Sequence, residues 1–146
     1  LLLKKKPMAK SLFPQEMLSN ASGELTPDVI ANKFTYFHVQ VQDLHWATRS
    51  FAEHKALNKL YDILFDTKDE VVEKIMGYTG VRAKAGDVKG VRPYAPGLPM
   101  QVTTEVIAFA KQLENYGASN NMPDIENIAQ SLSGSAAQIK YLLTLS

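Results

Sequence analysis

Ile30, Phe34, Phe37, Val41 and Leu44 recur at steps of four, three, four and three, the spacing of one buried face on an amphipathic helix. Thr26-Pro27-Asp28 opens that helix with an N-cap hydroxyl, a proline at the first helical position and an acid in the first turn. The pattern runs to about residue 48. A second helix follows almost at once. Ser50-Phe51-Ala52-Glu53 is a capping-box pattern, and Leu57, Leu60, Tyr61, Leu64, Val71, Val72 and Ile75 supply a buried face from residue 51 to about 76. Two long helices joined by so short a turn are antiparallel neighbours.

From Tyr78 to Met100 the periodicity stops. Gly80, Gly86, Gly90 and Gly97 are interspersed with Pro93, Pro96 and Pro99, so residues 78–100 read as a loop longer than the usual ceiling of about 12–15 residues. Helical spacing returns with Val102, Val106, Phe109, Ala110, Leu113 and Tyr116 (about 101–116), closed by Gly117. After Pro123-Asp124 it resumes with Ile125, Ile128, Leu132, Ala136, Ile139 and Leu143 (about 123–144). Apart from Leu132, the residues from Ser131 to Ala137 are small; Gly134 costs about 1 kcal/mol there relative to alanine, and a close helix approach is the expected compensation. No stretch alternates as a strand. The expected fold is all-α, a four-helix bundle over residues 26–146 with a long crossover loop between helices two and three. A flexible, basic N-terminal arm, residues 1–25, precedes it.

A chain of 146 residues is long enough for one domain with a real core. The absence of cysteine excludes disulfides and thiolate chemistry. No apolar run approaches the ~18 residues of a membrane span, and the three leading leucines are far too few for a signal-peptide core. The expected location is the cytoplasm, or a virion if the chain is viral. A net charge of +1 is too small to argue for nucleic acid. Lys4, Lys5, Lys6 and Lys10 do cluster in the arm, as a solvated segment or a weak contact to DNA phosphates. Met8-Ala9-Lys10-Ser11 looks like an ordinary protein start, which makes Leu1 to Pro7 read as an upstream remnant.

The chemistry concentrates between His45 and Glu73. On a helix turning about 100° per residue, Asp62, Asp66, Asp69 and Glu73 fall within about 60° of one another. Like charges so placed repel by roughly 0.2–0.5 kcal/mol per pair, so a positive neighbour is expected: a lysine, a partner's surface or a metal. His54 and Asn58 continue the stripe. Lys55 and Lys59 share its side, but both precede the acids, the poorer order for helical pairs and for the helix dipole. On spacing alone a solvated face, a partner site and a metal site all stay open. His45 and His54 converge only if the turn at residues 48–50 separates their helices. Imidazole and carboxylate ligands with open positions suit iron(II) better than calcium or structural zinc. His38 reads as a hydrogen-bonded, partly buried histidine rather than a ligand. Trp46 reads as a packing or interface residue that, beside a redox site, would also serve as an electron donor. There is no Walker A motif, dinucleotide fingerprint or G-x-S-x-G, and the Glu-x-x-His pair of an intrachain di-iron centre is also missing.

Leu44-His45-Trp46, then His54, then Asp69 with Glu73 resemble the Dps family, the ferritin-like proteins of DNA protection during starvation. Those proteins carry L-H-W late in their first helix, a second histidine early in the next, and then D-x-x-x-E. The step of fifteen residues from His54 to Asp69 is the family spacing. The resemblance covers most of Thr26 to Ser146 and implies a ferritin-like bundle with an iron site between two subunits. His45 and His54 would come from one subunit and Asp69 and Glu73 from the other, with Asp62 and Asp66 as accessory carboxylates that attract or relay cations. It also implies ferroxidase chemistry with peroxide, iron storage in a hollow homo-oligomeric shell (a dimer at least, up to a dodecamer), and DNA binding by lysine-rich arms. The chain departs from the family in a shorter interval between the histidines, without the G-P turn. Asn58 stands where an acid is often found, and a Gly/Pro-rich loop replaces a short helix. The stretch S-F-A-E-H-K-A-L also resembles uncharacterised ferritin-like proteins of large phages and other viruses. That likeness implies the alternative of a metal-free structural or interaction protein, such as a virion or assembly component.

Overall fold

A computed structural model describes residues 25–146, and all regular structure among the described residues is helical. Four helices follow one another: α1 (Pro27–Ala47), α2 (Phe51–Thr79), α3 (Leu98–Ser119) and α4 (Pro123–Leu143). The expected caps form. Thr26 Oγ1 accepts the Val29 N–H at 3.2 Å, and Ser50 Oγ accepts the Glu53 N–H at 3.1 Å, each satisfying a donor the helix leaves unpaired. Gly80, in the left-handed region at φ 72°, ends α2.

The helices bundle around one core. α1 packs on α2, α3 on α4 and α2 on α4, with a sparser contact between α1 and α3. Phe109 of α3 ties α1 in, its ring 4.9 Å from Phe34 in an edge contact and 5.7 Å from Phe37 in a stack. Burying aromatic rings of this size removes large apolar areas from water. No helix among the described residues is long and apolar enough to cross a membrane. Lys4, Lys5, Lys6 and Lys10, and with them nearly all of the expected arm, lie outside the described residues.

Residues 81–97 form no helix, yet α1 holds them along its length. The Lys84 N–H donates to Asp28 Oδ1 at 2.9 Å, and the Asn32 amide donates to the Ala85 and Asp87 carbonyls at 2.5 and 2.7 Å. Further along, the Tyr36 hydroxyl donates to the Gly90 carbonyl at 3.4 Å. Gln40 donates to the Arg92 carbonyl at 3.0 Å and accepts the Arg92 N–H at 2.8 Å. Both sets of residue numbers rise together, so the segment runs in the direction of α1. The chain thereby returns to the level where α2 began, and α3 descends antiparallel to α1.

Four boundaries or packing expectations change. α3 opens at Leu98, not near residue 101, because Gly97 turns the chain at φ 86° and places Pro99 in the first helical turn, where a missing N–H costs nothing. The loop is correspondingly shorter than residues 78–100, and α2 passes Gly77 to reach Thr79. Gly117 is not a helix stop but a close contact: a Cβ there would lie 2.8 Å from the Glu126 nitrogen and 3.0 Å from the Met122 oxygen. Gly134 shows the reverse. It is exposed, a Cβ there would meet nothing within 4 Å, and no close helix approach among the described residues compensates it.

These two glycines give opposite expectations in chemical denaturation. Gly134→Ala raises stability by about 0.5–1 kcal/mol through helix propensity alone. Gly117→Ala lowers it by about 1–3 kcal/mol, because the added methyl meets backbone that must move.

Candidate functional site

The turn between α1 and α2 brings His45 and His54 together, their ring centroids 5.1 Å apart. His54 Nδ1 lies 2.6 Å from the His45 carbonyl oxygen. A carbonyl only accepts, so Nδ1 carries a hydrogen, and in the neutral form of the ring the lone pair is on Nε2. An imidazole anchored to a backbone carbonyl through one nitrogen is in the tautomer and orientation used by metal-binding histidines. His45 is buried, and its Nδ1 has no hydrogen-bond partner among the described residues. Burial and the neighbouring His54 lower its pKa, while the Asp62 carboxylate pulls the other way. His45 is therefore mainly neutral near pH 7, the form that binds metals.

Glu53 holds this turn shut. Its carboxylate accepts from the Thr48 hydroxyl at 2.5 Å and from the Tyr94 hydroxyl at 2.7 Å. Thr48 Oγ1 in turn accepts the Ser50 N–H at 3.2 Å. The capping box predicted from Ser50 and Glu53 is thus relayed through Thr48, and it also pins the end of the loop beside His54.

Tyr61 lies between two histidines, 5.3 Å from the His45 ring and 4.4 Å from His38. His38 is not the hydrogen-bonded residue expected: its Nε2 is buried with no partner among the described residues, and its contacts are the rings of Tyr61 and Phe65. Burial, with Lys68 as a smaller cause, lowers its pKa.

The acidic stripe is exposed. Among the described residues Asp62, Asp66, Asp69 and Glu73 form no ion pair, since Lys74 turns instead to Glu70 and Asp124. At about 1.5 Å per residue, Asp69 lies roughly 22 Å down α2 from His54. Within one chain the structure therefore unites His45 and His54, places Asp62 near them, and leaves Asp69 and Glu73 far away. No three His, Asp or Glu among the described residues gather into a metal-binding group. Three large apolar side chains are exposed on or beside this stripe: Trp46 (68%), Phe51 (76%) and Phe65 (53%).

Two polar anchors escape sequence reasoning. Arg92 grips Glu105 with both terminal nitrogens, at 3.2 and 2.6 Å, and donates to the Tyr36 hydroxyl at 2.8 Å. Lys33 is fully buried; its ammonium lies 4.7 Å from the Phe109 ring centre and donates to Gln112, and burial lowers its pKa to about 7. The available signal was a polar series, Asn32, Tyr36 and Gln40, at steps of four along α1.

The depressed histidines set a pH dependence. Unfolded histidine titrates near pH 6.5, so below that pH the unfolded chain binds protons that His38 and His45 resist in the fold. Their contribution is complete above about pH 6.5 and is lost as the pH falls below it. The urea midpoint should drop between about pH 7 and pH 5, and His45→Gln should flatten that slope.

A family model described as a family of unknown function (DUF5856) matches residues 45–143, a span containing His45, His54 and the whole acidic stripe. The chain is also similar to the uncharacterized 14.6 kDa protein in the mobD-ri intergenic region of Enterobacteria phage T4. The two are 29% identical over 115 residues, which covers 75% of this chain and 78% of the phage protein. No solved structure matches the chain. With the family match covering all of α2, α3 and α4 and their connections, the protein belongs to DUF5856, a family of unknown function.

Proposed function

We propose that this protein is a Dps-like iron-binding oxidase and store, a ferritin-like bundle with residues 81–97 as its crossover and iron(II) as its substrate. The observation that supports it most is the hydrogen bond from His54 to the His45 carbonyl, which leaves Nε2 of His54 free beside a mainly neutral His45. The short interval between these histidines is accommodated by the relayed cap, and their rings still converge.

The ligand set is completed only by a second copy, whose Asp69 and Glu73 would meet His45 and His54. Soft-to-intermediate imidazole and hard carboxylate together hold iron(II) with positions left open. The carboxylates then stabilise the ferric product, which carries one more positive charge. Two iron(II) ions give one electron each to one peroxide, which takes up two protons and leaves as two waters. Asp62 and Asp66 attract cations to the site, and Trp46, 6.0 Å from the His45 ring, would give up an electron if an oxidising radical escapes. Contact of Lys4, Lys5, Lys6 and Lys10 with DNA rests on the sequence alone.

The exposed Trp46, Phe51 and Phe65 also favour a second reading, a metal-free interaction protein that docks this face on a partner, in a virion or its assembly. The phage T4 relative is consistent with such a setting.

An anaerobic iron(II) titration followed by stoichiometric peroxide, with native mass recorded alongside, separates the two. Saturable binding in a fixed ratio to subunits, then fast oxidation within an oligomer, is the expected result. Asp69→Asn combined with Glu73→Gln should weaken iron binding by more than the ~10–100-fold typical of losing a ligand's supporting hydrogen bond, with the helices intact. Iron uptake no better than that of a generic acidic surface would sink the oxidase and leave the interaction protein.

A further inference from the structure

We infer that α2 is the self-recognition element of this protein: two copies pair through antiparallel α2 helices, with Lys55 and Lys59 of one facing the partner's Glu73 and the partner's Asp69. This goes beyond iron oxidation, which needs a second copy but does not say how it docks.

On one side of α2 the charges are sorted along its length, with Glu53, Lys68, Glu70 and Lys74 lying outside that stripe. Lys55 and Lys59 stand in its first half, and Asp62, Asp66, Asp69 and Glu73 follow. At about 100° per residue all six fall within roughly 80° of one another, on one exposed side. Within the chain the lysines do not use these acids. Lys55 lies over the Phe51 ring at 5.6 Å, and among the described residues neither lysine forms an ion pair. A stripe that begins with two lysines and ends with two acids is complementary to itself at its ends only when reversed.

One register satisfies every end pair. With the crossing at the level of Leu64, Lys55 is opposite the partner's Glu73 and Lys59 is opposite the partner's Asp69, because each pair is equidistant from Leu64 in sequence. Two apolar features obey the same register. Phe51, 76% exposed, comes opposite the partner's Gly77, and at Gly77 a Cβ would meet nothing within 4 Å, which leaves room for a ring. Phe65, 53% exposed, lies next to the crossing point and meets its own counterpart. Asp62 and Asp66 face the same pair at the centre, where like charges meet in parallel and antiparallel pairing alike, so the ends decide the direction.

The geometry is within reach. The Lys55–Glu73 pairs lie roughly 13 Å and the Lys59–Asp69 pairs roughly 8 Å from the crossing along the helix, and at a crossing angle of about 20° they are displaced sideways by only about 5 and about 3 Å. A lysine side chain spans that. Apolar contacts at Phe51 and Phe65 supply area, and the ion pairs supply orientation and exclude the wrong one.

The test uses charge reversal on the full chain, in iron-free, low-salt buffer, read by sedimentation and native mass. Lys55→Glu with Lys59→Glu should raise the dimer Kd at least about a hundredfold, and so should Asp69→Lys with Glu73→Lys. An equimolar mixture of the two should recover association in alternating pairs, which also proves that both variants are folded. The inference is overturned if wild type stays monomeric, if either variant keeps wild-type association, or if the mixture fails to pair. Pairing without saturable iron binding in the separate titration would remove the oxidase and leave the pairing. Iron binding with unaltered association of the lysine variant would do the opposite.

Discussion

Glu53 joins three segments at one point, and the arrangement of the rest of the molecule follows from it. Its N–H is capped by Ser50, and its carboxylate takes hydroxyls from Thr48 in the turn and Tyr94 at the loop's end. Hydrogen bonds to an ionised acceptor are about twice as strong as neutral ones, so a single side chain fixes the entry of α2 against the exit of α1. That fixed angle is what lets the His45 carbonyl, at the end of one helix, receive Nδ1–H of His54 at the start of the next. The histidine pair is therefore a product of the turn. A longer turn would let the rings separate.

The same clasp explains how a segment without secondary structure stays against the bundle. Its backbone groups need partners, and α1 supplies them as a row of side chains, Asp28, Asn32, Tyr36 and Gln40, one per helical turn. Arg92 closes the row by bridging to Glu105 of α3, with both partners mostly shielded from water. Removing one member of such a shielded pair leaves an uncompensated charge. The loop, α1 and α3 are thus one mechanical unit, and Tyr94 passes its position on to the site.

The helices were legible because local and long-range preferences agree: apolar steps of three and four, Thr26-Pro27 at one start, Pro123 at another. The loop was legible as irregular but not as docked, since the signal lay far away, in polar residues of α1 whose partners are more than fifty positions off. Gly117 and Gly134 were read the wrong way round because a glycine looks the same whether it accommodates a neighbour or merely lacks a side chain. In the site, the convergence of His45 and His54 depended on a turn that the sequence did place. The unpartnered nitrogens of His38 and His45 did not follow from it, because burial of a particular atom is a property of tertiary packing.

The acidic stripe poses an electrostatic demand that the described chain does not meet. Four carboxylates on one face repel, each pair by roughly 0.2–0.5 kcal/mol. The nearby cations are turned elsewhere: Lys74 to Glu70 and Asp124, and Lys55 to the Phe51 ring. Such a cost is small enough for a monomer to bear, yet it is relieved by anything positive that arrives. A divalent ion would relieve it at the carboxylates that hold it, Asp69 and Glu73 in the proposed site, with Asp62 and Asp66 drawing it in. Lysines from a reversed copy relieve it at Asp69 and Glu73, toward the far end. Because Asp69 and Glu73 are also the proposed ligands, an arriving ion and the lysines of a reversed copy would draw on the same two carboxylates. Pairing would carry the acidic end of one α2 to the histidine end of the other, and so the contact proposed to neutralise the stripe is also the one that would assemble imidazoles and carboxylates around an ion.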